Sequence, residues 1–101
     1  MSIIDRVDGD YAEITLSDRF TFGDSSEFRK KLYAMFECNV RSITISVDDL
    51  IFMDSSGLGM LIVAHNECQN RRISMSVRHP KGDVQMLLEM TKSYERFKII
   101  D

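Results

Sequence analysis

Asp48-Asp49-Leu50-Ile51-Phe52-Met53-Asp54-Ser55-Ser56-Gly57-Leu58-Gly59 is the stretch on which the fold turns. Before it, Ser42 to Val47 alternates, with Ile43, Ile45 and Val47 on one side and Ser42, Thr44 and Ser46 on the other, which predicts a central strand packed on one face. After it, Leu58, Leu61, Ile62, His65 and Cys68 recur at three and four residues, predicting an amphipathic helix to about Arg71. Asp48 to Met53 then reads as a connection, and Asp54 to Gly59 as the start of the helix. The first N–H groups of a helix have no partner within it, so this end favours negative charge. A serine there serves as a cap or presents an exposed hydroxyl to a phosphoryl donor. Gly57 and Gly59 each cost roughly 1 kcal/mol against alanine inside a helix, and close approach of another backbone is one reason to keep such residues. On residue types alone, an ordinary connection capped by Ser55 or Ser56 and eased by glycines accounts for the stretch.

The flanks complete an α/β pattern. Ser2 to Arg6 and Tyr11 to Leu16 read as two antiparallel strands around the Asp8-Gly9 turn signal. Asp24-Ser25-Ser26-Glu27 has the form of a capping box, and Phe28, Leu32, Met35 and Phe36 behind it follow helical spacing to about Glu37. Ile73 to Val77 predicts a further strand. Pro80-Lys81-Gly82-Asp83 supplies a turn and an N-cap for a third helix through Val84, Leu87, Leu88 and Thr91, and Phe97, Ile99 and Ile100 suggest a short last strand. Right-handed crossovers between these strands imply a mixed sheet with helices over the face that buries Ile43, Ile45 and Val47.

The chain has 101 residues, 44% of them hydrophobic, which suits one domain over 1–101. Its formal charge is -3 and its Lys and Arg residues are scattered, so neither nucleic acid nor an anionic membrane is an expected partner. The sequence lacks a run approaching the roughly 20 apolar residues of a membrane span, and its N-terminus lacks the layout of a secretion signal, so a cytoplasmic location is expected. Cys38 and Cys68 are expected to be reduced and partly buried, and the isolated His65 and His79 give no metal-ligand spacing. No metal or cofactor is expected. A nucleophile elbow needs glycine on both sides of its serine, and a phosphate-binding loop needs a Gly-Lys-Ser/Thr ending; both are absent. The reading is of a binding module and not an enzyme.

Asp48 to Gly59 resembles the core signature of the STAS family, specifically the single-domain bacterial anti-sigma factor antagonists. Gly82-Asp83-Val84-Gln85-Met86-Leu87-Leu88 with Phe97-Lys98-Ile99-Ile100 is similar to that family's last helix and strand. The resemblance implies a STAS-like mixed sheet of about five strands covered by about three to four helices. It also implies a partner switch. The unphosphorylated antagonist binds an anti-sigma factor, thereby regulating transcription; a serine kinase of the histidine-kinase-like ATPase fold phosphorylates it and ends binding, and a serine phosphatase resets it. The phosphoacceptor position corresponds to Ser55, with Ser56 as second candidate.

Ser17-Asp18-Arg19-Phe20-Thr21-Phe22-Gly23 departs from the Gly-Glu-Leu-Asp-like turn of many antagonists and looks like a Gram-negative subgroup with an Arg-Phe-x-Phe-Gly pattern. Such relatives serve outputs that include motility, biofilm formation and secretion. On the predicted second helix, Met60, Val63 and Glu67 fall opposite the apolar stripe, where Met60 and Val63 either dock a partner or pack under a loop. With Asp54, Ser56, Gly57 and Gly59 around Ser55, they form the expected partner-binding set. The alternative role is a STAS interaction subunit of a larger signalling or transport complex, bound constitutively and without serine modification.

Overall fold

A computed structural model describes residues 2–92 and 96–100. Five strands form one sheet in the order β1 (Ser2–Asp8), β2 (Tyr11–Phe20), β3 (Ser42–Met53), β4 (Ser74–Arg78), β5 (Lys98–Ile100). Only β1 runs antiparallel to its neighbour; the other pairs are parallel. The β1–β2 turn is two residues long, because Asp8 pairs with Tyr11. Gly9 has φ +65 and Asp10 is not in the left-handed region, the combination a type II′ hairpin turn needs.

Each parallel step requires a crossover, and the chain supplies α1 (Ser25–Phe36), α2 (Ser55–Asn70) and α3 (Gly82–Met90). Three crossovers of one hand moving in one direction across the sheet place their helices on the same face. That face is apolar in register: Ile14 pairs with Ile45, Ile45 with Val77 and Val77 with Ile99, and the first three of these are fully buried. Phe28, Leu32 and Met35 of α1, Leu61, Ala64 and Cys68 of α2, and Val84 and Leu88 of α3 complete the core. Burial in that apolar setting pushes the Cys68 thiol up to about 11, so it stays protonated and inert. Cys38, expected to be partly buried, is exposed.

The opposite face carries the polar set. Glu13 pairs with Arg6 at 3.0 Å and with Arg78 at 2.7 Å, and Arg78 donates to Ser46 Oγ at 3.0 Å. Ser46 in turn donates to Asp48, and Thr44 lies 3.4 Å from Ser76 across the strands. Thr44 and Ser46 are buried despite facing this side, because long charged neighbours lie over them. No helix among the described residues is long and apolar enough to cross a membrane.

Four local expectations are corrected. The Asp48–Met53 connection is strand: β3 continues through it, paired with β2, and two register shifts at Thr15/Ser17 and Asp18/Arg19 each add one residue to β3. Val47, Leu50 and Met53 therefore face inward at intervals of three, which hides the two-residue alternation from a sequence reading. The same pairing extends β2 beyond Leu16 to Phe20. Asp24 does not cap α1 through a box with Glu27; its carboxylate accepts from the Thr21 N–H at 2.8 Å and closes a short 3-10 turn, Phe22–Asp24, ahead of the helix. At α3, Lys81 stands at the cap position and Asp83 lies in the first turn, where its charge complements the helix dipole.

Candidate functional site

The end of β3 delivers the chain directly into α2. Asp54, in extended conformation, is the N-cap: its carboxylate accepts from Gly57 N at 2.7 Å, and its carbonyl accepts from Leu58 N at 3.0 Å. The expectation that Ser55 or Ser56 caps this helix is corrected, since the cap lies one residue earlier and both serines occupy the first turn, exposed. Neither hydroxyl is needed to close the helix. The N–H groups of these two residues precede the helical ladder and face outward, leaving local positive character beside two free-standing hydroxyls. Asp54→Ala is expected to lower stability by about 1 kcal/mol, while Asp54→Asn, whose side-chain oxygen still accepts, stays within about 0.5 kcal/mol of the parent; urea unfolding reads both.

The two glycines have different tasks. Gly57, expected in the partner-binding set, is buried: a Cβ there would press on the Phe20 carbonyl oxygen and lie 2.7 Å from Met53 Cγ. Its hydrogen lets the first turn of α2 lie against the ends of β2 and β3, fixing where Ser55 and Ser56 emerge. Gly59 has no neighbour within 4 Å of a Cβ and is half-exposed. It meets open space at the surface.

From Gly59 onward α2 forms one wall of a groove whose other wall is α1. Ser56, Gly59, Met60 and Val63 line it from α2, facing Phe28, Arg29 and Leu32 of α1, with Phe22 at the rim; its volume is about 360 Å³. Met60 and Val63, left open between docking and packing under a loop, border this groove; Met60 is half-buried and Val63 is 58% exposed. At the far end Tyr33 donates to Glu67 at 2.8 Å, a bond that raises the phenol above its ordinary range, and Arg71 pairs with Glu67 at 3.3 Å while lying 4.2 Å from the Phe36 ring centroid. The inward stripe of α2 is Gly57, Leu58, Leu61, Ala64 and Cys68; Ile62 and His65, expected inside, are only half-buried, and Ala64 takes the central place.

Near the end of β3 the bulges turn Ile51 and Phe52 outward, with exposures of 69% and 38%, and the Arg19 guanidinium lies 4.9 Å from the Phe52 ring centroid. Phe22 is 73% exposed. The described surface near the motif thus carries several large apolar side chains that the core does not use. The α1 wall went unnoticed in the sequence, because its residues share no motif and meet α2 only through the fold, whereas Phe22 belongs to the Ser17 to Gly23 stretch singled out there and shares the groove with Ser56. Among the described residues no group of three or more His, Cys, Asp or Glu side chains is placed to hold a metal.

A sequence model of the STAS domain matches residues 2–101. The chain belongs to the STAS domain family. Among relatives, this STAS domain is 26% identical over 92 residues to a STAS-domain containing protein of Pseudomonas aeruginosa (strain UCBPP-PA14), covering 91% of this chain and 90% of that one. Its fold is that of the anti-sigma factor antagonist SpoIIAA in its unphosphorylated form, with TM-score 0.77 and 20% identity over 99% of this chain and 87% of that one. The phosphorylated form of the same Bacillus protein superposes with TM-score 0.76 at 18% identity, covering 97% and 90%. A sulfate transporter family protein from Wolinella succinogenes shares the fold too, with TM-score 0.80 and 14% identity over 95% of this chain and 80% of that one. The mixed sheet, expected with about five strands and about three to four helices and found with five and three among the described residues, is therefore the STAS fold, and the distribution of that fold over regulators and a transporter makes the site, not the architecture, the guide to function.

Proposed function

We propose that this STAS domain is an anti-sigma factor antagonist that acts as a phosphorylation-controlled partner switch in the cytoplasm, with Ser55 as phosphoacceptor. In this reading the unphosphorylated domain binds an anti-sigma factor or switch kinase of the histidine-kinase-like ATPase fold, frees the transcription machinery that partner restrains, and is reset by a serine phosphatase. The domain carries no catalytic residue of its own; the kinase and phosphatase supply the chemistry.

The observation that carries the proposal is the exposed Ser55 hydroxyl in the first turn of α2, freed from capping by Asp54 and one residue from Ser56, which lines the groove that Phe22 also borders. A phosphate there carries about -1.5 to -2 charge, which a helix N-terminus tolerates within the free domain. Pressed against a partner without a matching cation, the same group brings desolvation and repulsion. Asp54 adds to that negative charge. The switch then operates at the interface and leaves the fold intact.

Intact mass and peptide mapping of protein purified from its own host, with and without phosphatase treatment, test the assignment. The expected result is one 80 Da adduct, about the mass of a phosphoryl group, on the peptide containing Ser55, removed by the phosphatase. An adduct confined to another residue overturns the assignment. Persistent unmodified protein that holds its partner equally well after kinase treatment supports instead a constitutive subunit of a larger assembly.

A further inference from the structure

We infer that the groove between α1 and α2 is the seat of an amphipathic helix of the partner protein, one carrying an acidic side chain that pairs with Arg29; this rests on the partner-switch reading above. The groove runs beside α2 from Ser56 to Glu67, eleven residues or about 16 Å of helix, which matches three turns of a docked helix. Its floor is formed by the buried Phe28 and Leu32, and its accessible apolar lining by Met60 and Val63, with Phe22 beside them. Both walls are helices, whose central backbone groups are already paired within their own ladders. An extended segment laid in the groove would find no main-chain partners and would leave its amides bare against an apolar surface, whereas a helix satisfies its own.

Charge selects the chemistry of the occupant. Two ionised side chains line the groove, Arg29 and Glu67. Glu67 is engaged by the Tyr33 hydroxyl and by Arg71. Arg29 has no ion pair among the described residues, is exposed, and stands on α1 facing the α2 wall that begins at Ser56. An acidic side chain beside the apolar stripe of the incoming helix answers that guanidinium and sets the docked direction. The placement also couples docking to the switch, because the seat begins one residue from Ser55.

The test places a photo-crosslinking p-benzoylphenylalanine at Val63 in a Ser55→Ala background in the native host, with crosslinked partner peptides mapped by mass spectrometry. The expected crosslinks fall within one helical segment with apolar residues at three- and four-residue spacing and an Asp or Glu within a turn of the crosslink. Arg29→Glu is expected to weaken binding of that purified partner about tenfold or more, and changing the partner's acidic residue to Arg to restore it. Crosslinks to an extended loop, a small apolar molecule or a second copy of this chain overturn the inference. So does an Arg29→Glu protein that binds with unchanged affinity. If Arg29→Glu binds normally while Ser55→Asp does not, the seat is wrong and the switch stands; if Ser55→Asp also binds normally, the switch reading falls as well.

Discussion

Gly57→Ala is expected to destabilise the domain by about 2 kcal/mol and lower its melting temperature by roughly 10 °C, whereas Gly59→Ala, two residues on in the same helix, is expected to raise stability by about 0.5–1 kcal/mol. Helix propensity favours alanine at both positions. The difference is space: a methyl at Gly57 collides with the Phe20 carbonyl oxygen and Met53, and the backbone oxygen belongs to a paired strand end that cannot yield cheaply, while a methyl at Gly59 meets nothing within 4 Å. Thermal unfolding of the two variants side by side reads the contrast. Equal effects of the same sign would remove the claim that Gly57 sets the docking of α2 on β2 and β3.

Ser55→Asp is expected to keep the native circular dichroism spectrum and a melting temperature within a few degrees of the parent, yet to bind the partner roughly a hundredfold more weakly, about 3 kcal/mol of association energy. A carboxylate in the first turn of α2 interacts favourably with the helix N-terminus, worth about 0.3–1 kcal/mol, so the free domain has no reason to unfold. The cost arises when that charge, beside Asp54, is pressed against the partner. Ser55→Ala is expected to bind normally and to resist the kinase, which isothermal titration and a phosphorylation time course would measure. Loss of fold in the aspartate variant, or phosphorylation of the alanine variant at the parent's rate, would contradict the account.

The alternation of Ile43, Ile45 and Val47 and the recurrence of Leu58, Leu61 and Cys68 made the central strand and its following helix legible without coordinates, since each reports one buried face of a regular element. The signal failed where regularity failed. Two bulges shifted β3 out of alternation, so the paired stretch to Met53 read as a connection. The cap was missed for a related reason: serine, asparagine and aspartate serve equally well at an N-cap, and only the position of the first helical bond distinguishes Asp54 from its neighbours. Glycine composition raised a close backbone approach as one reason for the pair, but only the fold shows that Gly57 makes it and Gly59 does not. The α1 wall of the groove, with Arg29, is a product of tertiary packing between segments some thirty residues apart and left no local pattern to find, whereas Phe22 fell within the Arg-Phe-x-Phe-Gly stretch that the sequence did single out.

These residues give the motif a division of labour. Asp54 closes the helix, Gly57 seats it, and Ser55 is left exposed with no structural duty, a position from which a phosphate alters the surface and spares the core. The most direct test is the affinity of the partner for unphosphorylated and stoichiometrically Ser55-phosphorylated protein, measured with the circular dichroism spectrum of each. Binding weakened roughly a hundredfold with superimposable spectra is the expected result; equal affinities, or weakened binding accompanied by loss of structure, would show that the phosphate does not act at an interface of the intact domain.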